Sequence, residues 1–158
     1  MINIKRWIGC DVGKTGALVS IDEADNVEII PYDEIAYRDA LERWSQDKCH
    51  AVVEQVSAMP GNGSVGMFHF GMTYGEILGM MIAYRIPYQT VRASSWKKLF
   101  GLNLSKDKTY ADKKAADIAK CHALFPNVSL KRTERCKRDD DNIADALLLA
   151  EACRRLFA

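Results

Sequence analysis

The sequence predicts an α/β fold: a five-stranded mixed sheet, three antiparallel strands followed by two parallel ones, with helices on both faces. Three observations predict it. Turn-forming residues cut the first 32 positions into three short apolar runs, the pattern of a meander. Beyond them, strand-length and helix-period segments alternate, giving the order βββαβαβα with a closing helix. The 158 residues are 48% apolar and 27% charged, the balance of one soluble domain spanning residues 1–158 with a core of its own.

The first strand, residues 4–11, is apolar and ends on Asp11, where Gly13, Thr15 and Gly16 supply a tight turn. Residues 17–21 form the second strand. A polar hairpin loop, residues 22–26, leads to the third at 27–32, where Pro31 suits a strand end or a sheet edge. Asp33 is placed to cap a helix running to about Gln46, with Ile35, Ala36, Ala40, Leu41 and Trp44 at helical spacing. Residues 50–56 form a short apolar strand containing Glu54. After a crossover helix it is expected parallel to the first strand and beside it, bringing Asp11 and Glu54 to one region of the sheet.

Residues 57–66 read as a glycine-rich loop and residues 67–84 as a long helix with Gly71, Gly75 and Gly79 on one stripe. Residues 87–91 are the fifth strand. Ser94 or Ser95 is expected to cap a short helix at 96–100. A lysine-bearing loop, 101–108, precedes a helix at 109–124. A charged connector, 131–141, precedes the last helix at 142–156, whose Ile143, Ala146, Leu147, Ala150 and Cys153 are expected to face inward.

Composition excludes several classes. No apolar run reaches the roughly 20 residues of a membrane span, and the N-terminus lacks the apolar region of a signal peptide, so a cytoplasmic protein is expected. The five cysteines are odd in number and form no C-x-x-C pair, which argues against a disulfide framework or a cysteine-rich zinc site. Net charge is +1 but unevenly placed. Residues 1–80 hold 6 Lys+Arg against 12 Asp+Glu, and residues 81–158 hold 16 against 9. A basic second half points to a polyanionic partner.

The chemistry sits in the acids. Asp11 closes an apolar strand, Glu54 lies within another, and Asp141 and Asp145, four apart, share a face of the last helix. A carboxylate in an apolar strand is costly unless paired or metal-bound. Acids converging from separate elements repel one another, and oxygen-only ligands suit Mg²⁺ or Mn²⁺. Asp139, Asp140 and Asp141 are individually also placed to cap the helix.

Three motifs, the Asp11–Ala17 turn (DVGKTGA), Val53–Pro60 (VEQVSAMP) and Ala144–Ala150 (ADALLLA), in that order and spacing, resemble the RuvC-type Holliday junction resolvases, most of all the phage-like branch. The turn alone is weak, because actin-like sugar kinases use a similar one, but those need two such domains and far more residues. The resemblance implies an RNase H-like fold, a homodimer, two Mg²⁺ ions per site with Mn²⁺ able to substitute, and paired nicks across a four-way DNA junction leaving 5′-phosphates. It implies Asp11, Glu54 and Asp145 as catalytic metal ligands. The family's fourth ligand stands three positions before the helix acid, here Asn142; Asp141 is an alternative ligand, and Asp139 and Asp140 are remoter ones.

DNA contacts are expected from Lys14 in the first turn, from Arg92, Lys97, Lys98, Lys106, Lys108, Lys113 and Lys114, and from the basic residues of the connector. Around the loop after Glu54 stand Met59, Pro60, Met67, Phe68 and Phe70. Phe68 or Phe70 is expected either to unstack bases at the junction centre or to pack into the core or a dimer interface. A symmetric dimer is expected through the long apolar helix. Two other readings stay open: a junction-binding protein whose cleavage is weak or lost, and a nuclease of this fold acting on another nucleic acid.

Overall fold

The fold is described from a computed structural model that covers residues 3–58 and 61–158. Met59 and Pro60 lie outside the described residues. Five strands form one sheet: β1 (Arg6–Asp11), β2 (Ala17–Asp22), β3 (Val27–Pro31), β4 (Cys49–Glu54) and β5 (Tyr88–Val91). Their order across the sheet is β3-β2-β1-β4-β5. β1 pairs antiparallel with β2, and β2 with β3. β4 runs parallel to β1, and β5 parallel to β4. Pro31 ends β3, the edge strand, where its missing N–H costs no ladder bond.

Alternation along the strands sorts side chains onto two faces. Ile8, Cys10, Leu18, Ala51 and Val53 enter one core with α1 (Glu34–Trp44) and α2 (Ser64–Ala83). Trp7, Val19, Ile21 and Val52 enter the other core with α3 (Ala93–Lys98), α4 (Tyr110–Leu124) and α5 (Asp141–Phe157). Helices therefore cover both faces, as the sequence pattern predicts. Cys10 is the register partner of Val53, and both point to the α1–α2 side. Asp11 and Glu54, one step further on each strand, turn to the α5 side.

α5 is the central helix. Every residue from Ile143 to Cys153 is buried, not only the expected inward stripe, because the helix lies between the sheet and α4. Close contact with β1 depends on Gly9. A Cβ there would stand 2.2 Å from the Ala150 backbone nitrogen and 2.3 Å from the Ala146 carbonyl oxygen. Asp145, next to Ala146, is carried to the strand that ends in Asp11.

Several boundaries differ from expectation for local reasons. α2 begins at Ser64 rather than Met67, so residues 64–66 of the expected loop are helical. α3 begins at Ala93, capped by the backbone of Arg92 and not by Ser94 or Ser95. Thr109 caps α4 in a reciprocal box with Asp112. Asp140, not Asp139 or Asp141, caps α5, accepting from the Asn142 and Ile143 N–H groups. Among the described residues no helix is long and apolar enough to cross a membrane.

Candidate active site

Asp11, Glu54 and Asp145 come from β1, β4 and α5 to one end of the sheet's α5 face. Burial, then the negative charges of Asp145 and Glu54, hold the Asp11 carboxyl well above the usual carboxylate range, with Lys114 opposing and Asp141 adding a smaller push. The four acids thus share one electrostatic neighbourhood. Burial pushes the Asp145 carboxyl up to about 7, against the pull of Lys114 and Lys97.

Each acid is held differently. Glu54 Oε2 accepts a hydrogen bond from the indole Nε1 of Trp96 at 2.7 Å. Asp145 Oδ2 accepts from Lys114 Nζ at 2.9 Å, and the same ammonium lies 3.0 Å from Asp141 Oδ2. Asp145 Oδ1 is buried with no hydrogen-bond partner. Burial disfavours the charge on Lys114, but Asp145 and Asp141 outweigh it and keep the ammonium more basic than an ordinary lysine.

The turn after β1 and the start of α5 are tied together by Arg132. Its guanidinium donates to Asp140 Oδ2 at 2.7 Å and also to the carbonyls of Thr15 and Gly16. Burial works to raise the Asp140 carboxyl, yet Arg132 and the helix N–H groups hold it below the usual range. Asp140 is thereby committed to capping, and Asp139 to His122 Nε2 at 2.7 Å. Asn142 joins the cap through its backbone N–H. Of the candidates for a fourth ligand, Asp141 is the one whose carboxylate stands beside that of Asp145.

The donor set is all oxygen and suits a hard dication such as Mg²⁺ or Mn²⁺. The orphaned Asp145 Oδ1 and the mutual repulsion at Asp11 are what such an ion would relieve. Among the described residues, however, no three His, Cys, Asp or Glu side chains stand close enough together to hold one metal ion. The ammonium of Lys114 takes the place between Asp141 and Asp145.

The basic residues divide. Lys14, Arg92, Lys98, Lys106 and Lys108 are exposed, and Lys113 half-buried; none pairs with a carboxylate of the described residues. Lys97 and Lys114, expected among the phosphate contacts, are engaged inside the protein. Lys97 Nζ lies 2.7 Å from Asp117 Oδ2, a carboxylate only 1% exposed. Phe68 is 67% exposed on α2, while Phe70 packs its ring edge beside Gly13 of the Asp11 turn. Trp96 and Lys114 were not legible in these roles, since each acts on an acid far away in the chain, nor was the reach of Arg132 to the remote Thr15 and Gly16 carbonyls. Only the clustering of lysines around Lys114 marked that stretch.

No protein-family model matches the chain, and no curated protein sequence matches it. Solved structures do. T. thermophilus RuvC in complex with a Holliday junction substrate superposes with a TM-score of 0.62 at 11% sequence identity, covering 97% of this chain and 96% of that one. A second Thermus thermophilus RuvC structure gives 0.56 at 15% identity, with 93% and 92% covered. The chain therefore has the RNase H-like fold of RuvC, with its five-stranded mixed sheet and flanking helices.

Proposed function

We propose that this chain, acting as one domain over residues 1–158, is a Mg²⁺-dependent endonuclease that cuts four-way and other branched DNA. The observation that supports the reading is that Asp145 and Glu54 lie near enough to Asp11, at one end of a RuvC-like fold, for their charges to act on its carboxyl. The resemblance of the three sequence motifs to RuvC-type resolvases supports it; that resemblance alone suggests the phage-like branch.

Asp11, Glu54 and Asp145 would hold the dications, with Asp141 as the fourth ligand and Asn142 the alternative. When bound, a pair of Mg²⁺ ions supplies a water nucleophile usable at neutral pH and stabilises charge on the departing oxygen. The chain does the positioning. Water oxygen attacks phosphorus, the P–O3′ bond breaks, and the products are a 5′-phosphate and a 3′-hydroxyl. Trp96 fixes Glu54, and Lys114 fixes Asp145 and Asp141. Lys14, Arg92, Lys98, Lys106, Lys108 and Lys113 are free to contact phosphates, which makes affinity fall with salt.

A homodimer through α2 belongs to the same proposal. Val65, Phe68, Met72 and Ile82 are exposed on that helix, and added Cβ atoms at Gly71, Gly75 and Gly79 would meet nothing within 4 Å. A second copy packing there supplies two active sites for paired nicks. Light scattering at micromolar concentration tests this; a monomer contradicts it.

The seat of Lys114 between two of the acids favours a second reading, in which the protein binds junctions without cutting them. A synthetic four-way junction separates the two. Nicking in Mg²⁺ but not in EDTA supports the nuclease, and tight binding without nicking in Mg²⁺ or Mn²⁺ supports the binder.

A further inference from the structure

Between α3 and α4 lies an ion pair that no step above uses. Lys97 Nζ, on α3, stands 2.7 Å from Asp117 Oδ2, on α4. Asp117 and Cys121 are the buried residues of α4, one turn apart, so a carboxylate fills a place where an apolar side chain would carry no desolvation cost. Replacing a buried ion pair by apolar residues of similar volume is often neutral or stabilising. Stability alone therefore gives little reason for this pair.

Its surroundings supply another reason. The Lys97 ammonium lies 5.2 Å from the centroid of the Trp96 ring, where a cation is attracted to the face of an indole. The edge of the same ring donates from Nε1 to Glu54 Oε2 at 2.7 Å. Lys97 reaches a second acid through space. Burial raises the Asp145 carboxyl, and Lys114 and then Lys97 oppose it, Lys97 by more than Asp117 adds. One buried pair thus bears on two of the three converging acids, one on β4 and one on α5.

We propose that Asp117 is a positioning residue: it anchors Lys97 over the Trp96 ring, and through that ring it sets the orientation of Glu54 in the cutting site. The carboxylate at the inner side of α4 decides where the ammonium goes. With Asp117 in place, Lys97 is turned inward, its side chain 20% exposed. Without it, the ammonium is released and the indole loses the cation that holds its face. Lys97 on this account steadies the site from within and contacts no phosphate. The inference rests on the nuclease reading for what Glu54 and Asp145 do, but not for the hydrogen bond at Trp96.

The test uses full-length protein and two variants. Asp117→Asn keeps the shape and removes the charge; Asp117→Leu with Lys97→Met replaces the whole pair by apolar side chains. The first measurement needs no cutting. In ¹H–¹⁵N spectra recorded in EDTA, the indole N–H signal of Trp96, identified by its loss in Trp96→Phe, should move upfield in both variants as its bond to Glu54 loosens. The indole of Trp44, which donates to Glu28 and belongs to the opposite core, should stay in place. In Mg²⁺, both variants should nick a four-way junction at least about tenfold more slowly at saturating protein, with junction affinity within about twofold of wild type, the size of effect expected when a group supporting a metal ligand is lost. The salt dependence of binding in the double variant should match the wild type, whereas loss of a phosphate contact would lower its slope by about one.

The double variant keeps the proposal testable if Asp117→Asn, with its unpaired lysine, does not fold. An unmoved Trp96 signal, wild-type nicking in the double variant, or a salt slope lowered by one would each overturn the role given to Asp117. If the Trp96 signal moves but the wild type itself nicks nothing, the nuclease reading fails and the positioning of Glu54 stands. If the wild type nicks and the signal does not move, the reverse holds.

Discussion

The indole of Trp96 donates to Glu54 Oε2 at 2.7 Å, a bond between the short helix α3 and the end of β4. Trp96 is only 1% exposed, and the ammonium of Lys97 lies 5.2 Å above its ring, held there by buried Asp117. Glu54 therefore has one oxygen fixed from behind. Trp96→Phe keeps most of the ring and removes the donor. Junction affinity should hold within about twofold while the nicking rate falls at least about tenfold, the worth of one charge-assisted bond of about 1.5–3 kcal/mol. Equal losses of binding and nicking would mean the residue serves only packing.

Lys114 neutralises two acids at once. Lys114→Met would leave Asp145, 6% exposed, without its counter-charge. Removing one partner of a buried pair costs about 3–5 kcal/mol. The variant should melt well below the wild type in EDTA at pH 8, and Mg²⁺ should raise its melting temperature more than it raises the wild type's. Thermal melts with and without Mg²⁺ decide this; an equal Mg²⁺ response in both proteins would show that Lys114 and the ion do not share these acids.

The raised carboxyls set a pH dependence in metal-free protein. Asp145 is pushed up to about 7, chiefly by burial, and Asp11 is raised too. The folded state therefore binds these protons more tightly than the unfolded chain, which titrates near 4. The stabilisation from Asp145 is complete below about pH 4 and is lost as pH rises through about 7, and Asp11 acts in the same sense. Burial lowers the pKa of His50 and works in the opposite sense. Asp145→Asn isolates the carboxyl: between pH 5 and pH 8 in EDTA, the wild type should lose more stability than this variant does, as read by chemical denaturation at each pH.

Gly9 is the point where α5 rests on β1. Gly9→Ala places a methyl 2.2 Å and 2.3 Å from backbone atoms of Ala150 and Ala146, which have no rotamer by which to yield. Overpacking costs about 1–3 kcal/mol where side chains can shift, and more is expected where they cannot. The variant should unfold at markedly lower denaturant concentration, and nicking should fall further than stability explains, because α5 carries Asp145 toward Asp11.

How far the sequence reveals this site follows from where each signal lives. Strand-length apolar runs and the crossover rule were enough to put Asp11 and Glu54 in one region of adjacent parallel strands; the register that turns both to one face is a finding of the structure. Four-residue spacing was enough to put Asp141 and Asp145 together. Caps were ambiguous, because three successive aspartates, 139–141, all qualify locally, and the sequence does not show that Arg132 pairs with Asp140 rather than with its neighbours. Lys114 and Lys97 look like surface cations in sequence, since nothing local shows that Asp145 and Asp117 will be buried beside them. The early start of α2 at Ser64 was hidden by a glycine-rich stretch that reads as loop, and the packing of Phe70 beside Gly13 joins segments far apart in the chain.

The most direct test of the central claim replaces the three converging acids one at a time. Asp11→Asn, Glu54→Gln and Asp145→Asn should each abolish nicking of a Mg²⁺-supplied four-way junction, while gel-shift affinity for that junction stays within a few-fold of wild type. A variant among them that binds and still nicks at the wild-type rate would contradict the account.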